Sequence, residues 1–590
     1  MNAAAPASPA QGWRKSAAWY PISALVSELR RQKWGSFAIL FGALWLVHLP
    51  LLRLPYFWDE AGYFIPAARD LLLTGDLIPH TTISNAHPPL VMIWLALCWK
   101  LAGYSPLITR TAMLLVAAFG FTALWLLSRR LAGRAVAIAT VLLTALSPTV
   151  FVQSAMALLD IAAFALVLWT LYAYLCGRRW LAILFAALAA VAKETTVAVT
   201  LALFAYEVLG CIAWQLRPDW ASQWCFGTTA PLNQKKVEWG TRFRPMAWLL
   251  ALLPLVGWYA YHFHRTGHVL GNPDYLRYNV GATVTPWRIL IAFCMRLWHA
   301  AGYMNLFVLT ASALLFWWSA RGMAAGKSSH EGAPLLPSSG RSGIAGGIPR
   351  QIQFLFAFII LAQVAEFSIV GGALLARYMI PALPLVILIS VDVLRRYAPR
   401  WQWWIAASAA AFLAALLLNP PWYIAPEDNL TWTHFVRLHQ RAARYAELHY
   451  ADDRILTAWP ASDELNRPFL GYVGQGYVQR PLTVVSVENF TAEEMLRARD
   501  QEENFDVVVA FSTKFEARRA WMSRIPYIAG WTRAQTRYFD FHQDLPPAAI
   551  ARLLQGQIVW QESAPGEWIA LIELNKVRNA QLVRPPTPAR

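Results

Sequence analysis

The sequence predicts a mainly α-helical bundle that crosses a membrane about eleven times and carries a C-terminal α/β domain outside it. Three observations carry that fold class. Of 590 residues, 57% are hydrophobic and only 14% are charged, too few charges to solvate an ordinary globule. Runs of about 20 apolar residues, long enough to cross a bilayer as helices, recur through the first 420 positions. From about residue 421 the composition changes, and short β-rich runs alternate with amphipathic stretches, the pattern of a layered α/β unit.

The formal charge of +17 would suggest nucleic acid as the partner of a soluble protein. Its distribution argues otherwise. Residues 421–590 carry 19 basic and 20 acidic side chains, while residues 1–420 carry 32 and 14. A basic excess confined to the apolar part belongs to a polytopic membrane protein with basic loops, so no nucleic acid is expected. Five cysteines without CxxC spacing argue against a disulfide framework or a thiolate metal site. Arg outnumbers Lys 42 to 9, a bias that points to a GC-rich, bacterial genome and hence to the inner membrane.

The Ala/Pro-rich start, followed by Arg30, Arg31, Lys33 and an apolar run, resembles a retained signal anchor. Spans are expected at 36–54, 107–128, 135–153, 157–176, 246–264, 301–319, 351–372, 376–394 and 401–419. The stretch 180–216 enters and returns, divided by Lys193-Glu194-Thr195-Thr196. The run 88–101 is short for a span and rich in Trp, and is expected to lie along the membrane or re-enter it. With a cytoplasmic N-terminus, this topology puts 22 of the 32 basic residues inside, as the positive-inside rule requires. The expected divisions are a cytoplasmic tail (1–33), a transmembrane catalytic domain (34–420) whose first outer loop is 55–106, and a periplasmic α/β domain (421–590). In the last, strands are expected at 454–459, 482–487, 506–513 and 568–574, with amphipathic stretches at 431–449 and 491–503.

Ionisable groups at membrane depth are costly and mark functional sites by default. The topology brings Asp59, Glu60, His87, Asp160, Lys193 and Arg377 to one outer face. Plainer roles exist: Asp59 could cap the following helix, and Lys193 could form a structural pair with Asp160. For the functional role, a carboxylate suits a general base toward a hydroxyl. Lys193, Arg377 and His87 suit a phosphate, and a phosphate leaving group needs charge stabilisation more than a proton. A donor with a lipid tail would explain a site at the membrane edge.

In order along the chain stand Asp59-Glu60 with Tyr63, then Gly75-Asp76 before His87-Pro88-Pro89-Leu90. Asp160 follows a small-residue run, and Lys193 precedes Arg377-Tyr378 with Pro381. Together, over about 34–395, these marks resemble the GT-C superfamily of membrane glycosyltransferases, and among them the protein O-mannosyltransferases and lipid A aminoarabinose transferases. The resemblance implies that Asp59 is the catalytic carboxylate, with Glu60 and Asp160 in support. It implies a polyprenyl-phosphate sugar donor, inversion at the anomeric carbon, and Lys193, Arg377, His87 and Tyr63 around the donor phosphate. The acceptor would be a hydroxyl of a protein, lipid A or another glycan. His87 stands where the aminoarabinose transferases have Lys, and Gly62 where they have Arg. A divalent metal ion beside Asp59, found in part of the superfamily, stays open as a cofactor. Trp459-Pro460 and Gly471-Tyr472-Val473 are either turns or a platform over the site. A secondary transporter or lipid-linked-sugar flippase built on the same charges is the alternative, and an inactive scaffold a third.

Overall fold

The computed structural model describes residues 22–216, 245–281, 283–327, 347–420, 424–474, 481–515, 525–539 and 541–575. Most of the 1–33 tail and the 217–245 and 320–350 loops lies outside them. The chain forms a multi-pass membrane helical bundle followed by a small mixed sheet with helices. Four described helices are long and apolar enough to cross a membrane, or five with one bent pair, and five shorter apolar helices accompany them. A helix stands at each expected crossing.

Departures from the expected spans have local causes. The run Pro106–Leu146 is continuous except at Gly133, whose φ of 86° and ψ of 176° break it beside Arg129, Arg130 and Arg134; glycine alone adopts that backbone cheaply. The span expected at 301–319 begins later, at Phe307. Met304 and Asn305 have positive φ, and the helix pair around them is bent by 102°. The Leu90–Ala102 helix has 13 residues, about 20 Å at 1.5 Å per residue, short of a hydrocarbon core of about 30 Å. Lys193–Thr196 divides Arg179–Ala192 from Val197–Leu216, so the polar tetrad does interrupt the hairpin.

In the tail, five strands form one sheet: β1 (Arg454–Ala458), β2 (Thr483–Val487), β3 (Val507–Phe511), β4 (Gly556–Ala564) and β5 (Glu567–Leu574), in order β2-β1-β3-β5-β4. β1 pairs parallel with β2 and β3, while β5 runs antiparallel to β3 and to β4. Four of the five strands lie where the β-rich runs were expected. β4 was missed because its sequence, Gly-Gln-Ile-Val-Trp-Gln-Glu-Ser-Ala, has only three consecutive large apolar residues, followed by a polar run, as suits an edge strand. The Trp432–His449 helix buries Trp432, Phe435, Val436, Leu438, Ala442 and Ala446.

The tail is fastened to residues 55–106. Tyr472 Oη donates to the Tyr56 carbonyl at 2.9 Å, Tyr104 Oη to that of Phe469 at 2.7 Å, and an Arg467 guanidinium nitrogen to that of Thr81 at 2.6 Å. Phe57, Trp58, Phe435 and Trp459 pack ring against ring across the junction. Gly62 permits this approach: a Cβ there would stand 2.6 Å from the Trp459 ring. Gly471-Tyr472-Val473 is therefore a docking segment.

Candidate active site

Five charged side chains meet where helices end. Asp160 sits in the first turn of the Leu159–Leu175 helix, where the helix dipole favours an anion. Lys193 ends the Arg179–Ala192 helix in extended conformation, and its ammonium reaches Asp160 at 2.5 Å with the Tyr378 ring 4.7 Å away. Arg377 lies in a short turn before the Leu383–Tyr397 helix. Arg288 and Arg296 hold the loop leading to it by donating to the carbonyls of Gly371, Gly372, Ala373 and Leu375.

Arg377 is the hub. Its Nη2 pairs with Asp59, while Nε lies 3.8 Å from Asp160 and 3.2 Å from Glu427. Among the described residues its buried Nη1, like Nε, has no hydrogen-bond partner. Glu427 belongs to the turn Pro426–Asp428, between the Trp401–Leu417 helix and the tail domain. Sequence reasoning missed it, because an acid past the last apolar span looks like solvated tail. The available signal was the adjacent pair Glu427-Asp428 directly beyond a membrane helix. Burial raises Glu427 to about 8, against the pull of Arg377. Burial also raises Asp428 to about 6, opposed by the hydroxyl of Tyr303, which donates to it at 2.6 Å.

Asp59 is distinguished by access. Its side chain is 22% exposed, against 8% or less for Asp160, Lys193, Arg377 and Glu427. It occupies the residue before the Glu60–Phe64 turn but makes no side-chain cap bond. Trp58, at φ 48°, turns the chain into that position. Left-handed backbone on such a residue costs about 1–3 kcal/mol, and its ring is clamped by Phe57, Phe435 and Trp459.

The remaining expected site residues divide. Glu60 is fully buried and points away from the hub: its oxygens accept from Phe57 N at 2.9 Å and Ala157 N at 2.6 Å, and meet Arg110 at 3.4 Å. His87 Nδ1 is 3.0 Å from Glu194, so these two pair with each other. Tyr63 packs on Trp459; burial, then Asp59 and Asp463, push its phenol up to about 12. Asp59, Asp160, Lys193 and Arg377 are thus brought together, while Glu60 and His87 find other partners.

A divalent ion does not fit beside Asp59. Among the described residues no three His, Cys, Asp or Glu side chains are placed to hold a metal, and Asp59 faces a guanidinium. The cluster can instead offer cations to an anion and, on giving up Arg377, a freed carboxylate.

The chain has the fold expected from its motifs. It aligns with the structure of ArnT from Cupriavidus metallidurans in the apo state at a TM-score of 0.50, over 94% of this chain and 99% of that one, with 14% identity. A structure of the same protein bound to undecaprenyl phosphate aligns at 0.49, with 13% identity over 91% and 97%. No family model matches the sequence, and neither does any curated protein.

Proposed function

We propose that this protein is a membrane glycosyltransferase that moves a sugar from a polyprenyl-phosphate donor to an acceptor hydroxyl at the outer, periplasmic face of a bacterial inner membrane. The observation that carries it is the hub itself. Lys193 and Arg377 are cations buried at helix ends, and Asp59 is the carboxylate that solvent reaches. In this reading Asp59 is the catalytic base toward the acceptor. Lys193 and Arg377 take the donor phosphate and stabilise the charge it gains as it leaves. Asp160 orients both cations before the donor arrives, His87 with Glu194 lines the loop beside it, and Tyr63 closes the site against the tail. Glu60 supports Asp59 indirectly, by fixing the turn through Arg110. The division at about 421 then separates the bundle that holds the donor from a domain that covers it, with membrane lipid around the bundle.

The fold shared with ArnT supports this reading. The transporter alternative draws no support. Such proteins are commonly built from internal repeats, and this sequence shows none. Mass spectrometry of surface glycoconjugates and carrier-linked sugars, comparing a deletion strain with strains carrying wild type or Asp59→Asn, tests the proposal. An unmodified acceptor and accumulated donor are expected in the deletion and in Asp59→Asn. Full modification by Asp59→Asn would overturn the role of Asp59, and an unchanged deletion profile the transferase itself.

A further inference from the structure

Arg377 faces more negative charge than one cation can balance. Asp59, Asp160 and Glu427 all approach it, and Lys193 serves Asp160 alone. A carboxylate competes with phosphate for the same guanidinium nitrogens, so an anionic donor can bind only if at least one of these acids yields. Asp160 keeps Lys193 as a partner when Arg377 moves, and Asp59 keeps contact with water. Glu427 is placed differently: its side chain is 5% exposed, and its Oε1, at 3.2 Å from Arg377 Nε, makes no hydrogen bond among the described residues. Left ionised after losing Arg377, it would be an unpaired buried charge, which proteins avoid by taking up a proton.

We propose that Glu427 is a proton-coupled positioning residue, which holds Arg377 between Asp59 and Asp160 while the site is empty and yields it to the phosphate of a lipid carrier by taking up one proton. This rests on the reading of Lys193 and Arg377 as phosphate ligands. The proton comes from solvent and ends on the Glu427 carboxyl, and no covalent bond changes. Arg377 Nη1, buried without a hydrogen-bond partner among the described residues, is the donor that an incoming phosphate oxygen would first satisfy. When the guanidinium turns to phosphate, Asp59 is released as a base, so donor binding and activation of the acceptor become one event. Burial and the neighbouring Asp59, Asp428 and Asp160 raise Glu427, Arg377 lowers it, and the balance falls at about 8. Glu427 is therefore poised to exchange a proton at ordinary pH.

Calorimetric titration of the full-length protein in detergent with farnesyl phosphate, at pH 7–9.5 and in buffers of different ionisation enthalpy, tests this. In wild type, affinity is expected to hold up to about pH 8 and then fall by about tenfold per pH unit, with proton uptake small at pH 7 and rising toward one per ligand above pH 8. Glu427→Gln should bind about tenfold more tightly than wild type at pH 9, with a flat pH profile. Glu427→Asp should restore the slope, which a purely structural role would not do. A Glu427→Gln variant with the wild-type slope and proton uptake overturns the role of Glu427 and leaves the donor reading standing. Failure of wild type to bind farnesyl phosphate at any pH overturns the donor reading and this role with it. Equal binding of glycerol phosphate keeps the role of Glu427 and overturns the assignment of the ligand as a lipid carrier.

Discussion

Arg377 and Asp59, separated by 318 positions in the chain, form a part-buried ion pair in which one nitrogen of the guanidinium serves Asp59 and another faces Glu427. This pairing makes Arg377 the residue on which the site's charge balance depends. Arg377→Ala leaves three carboxylates facing one another, and breaking a buried pair in this way costs about 3–5 kcal/mol. A lowered thermal midpoint is expected, partly recovered by Arg377→Lys, which keeps the charge but not the fork of donors. A melting curve in detergent reads this directly.

Glu60 and Asp59 are adjacent, yet they should fail differently. Glu60 is fully buried on Arg110, so Glu60→Ala is expected to lower stability by about 3–5 kcal/mol and to reduce the yield of folded protein. Asp59→Asn should fold with a near wild-type melting temperature and transfer no sugar. Comparing expression, melting and transfer for the two variants separates a supporting acid from a reacting one.

Gly62 accommodates Trp459 at a distance no side chain would tolerate. Gly62→Ala is expected to destabilise the protein by about 1–3 kcal/mol through overpacking. The loss should be largely absent in a Trp459→Ala background. A double-mutant cycle on thermal stability measures the coupling, and additivity of the two changes would contradict the contact.

Glu567 opens β5 with both carboxylate oxygens buried and without hydrogen-bond partners, and burial raises it well above the ordinary value of 4.5. The folded state thus binds a proton that the unfolded chain releases. Its contribution is fully present below about pH 4.5 and is lost as pH rises toward the folded value, at up to about 1.4 kcal/mol per pH unit. Glu567→Gln removes that loss, so its stability advantage should grow with pH above 4.5. Denaturation at a series of pH values checks the sign.

Much of this was legible in the chain. Apolar run length marked the expected crossings, because a bilayer demands a minimum length of each, but it did not mark the Pro286–Ala301 helix that carries Arg288 and Arg296. Lys193 and Asp160 stood out for being charged where charge is costly. Partnership was not legible in the same way. Glu60 looked equivalent to Asp59 until Arg110, 50 residues away, was seen to hold it. His87 looked like a phosphate ligand until Glu194 was found beside it. Glu427 carried no local signal beyond an acidic pair, since its importance comes from an arginine on another helix.

The sequence by itself determined that this is a membrane bundle with a polar tail, which way its charge is distributed, and which ionisable residues are expensive enough to matter. Those properties are set by composition and periodicity, and the solvent imposes them residue by residue. Tertiary structure alone decided which acids share Arg377, which one keeps access to solvent, and that the tail closes onto the segment 55–106 through Gly62 and Trp459. The reason is physical: the energy of a buried charge depends on its neighbours within a few ångströms, and folding brings those neighbours from distant parts of the chain.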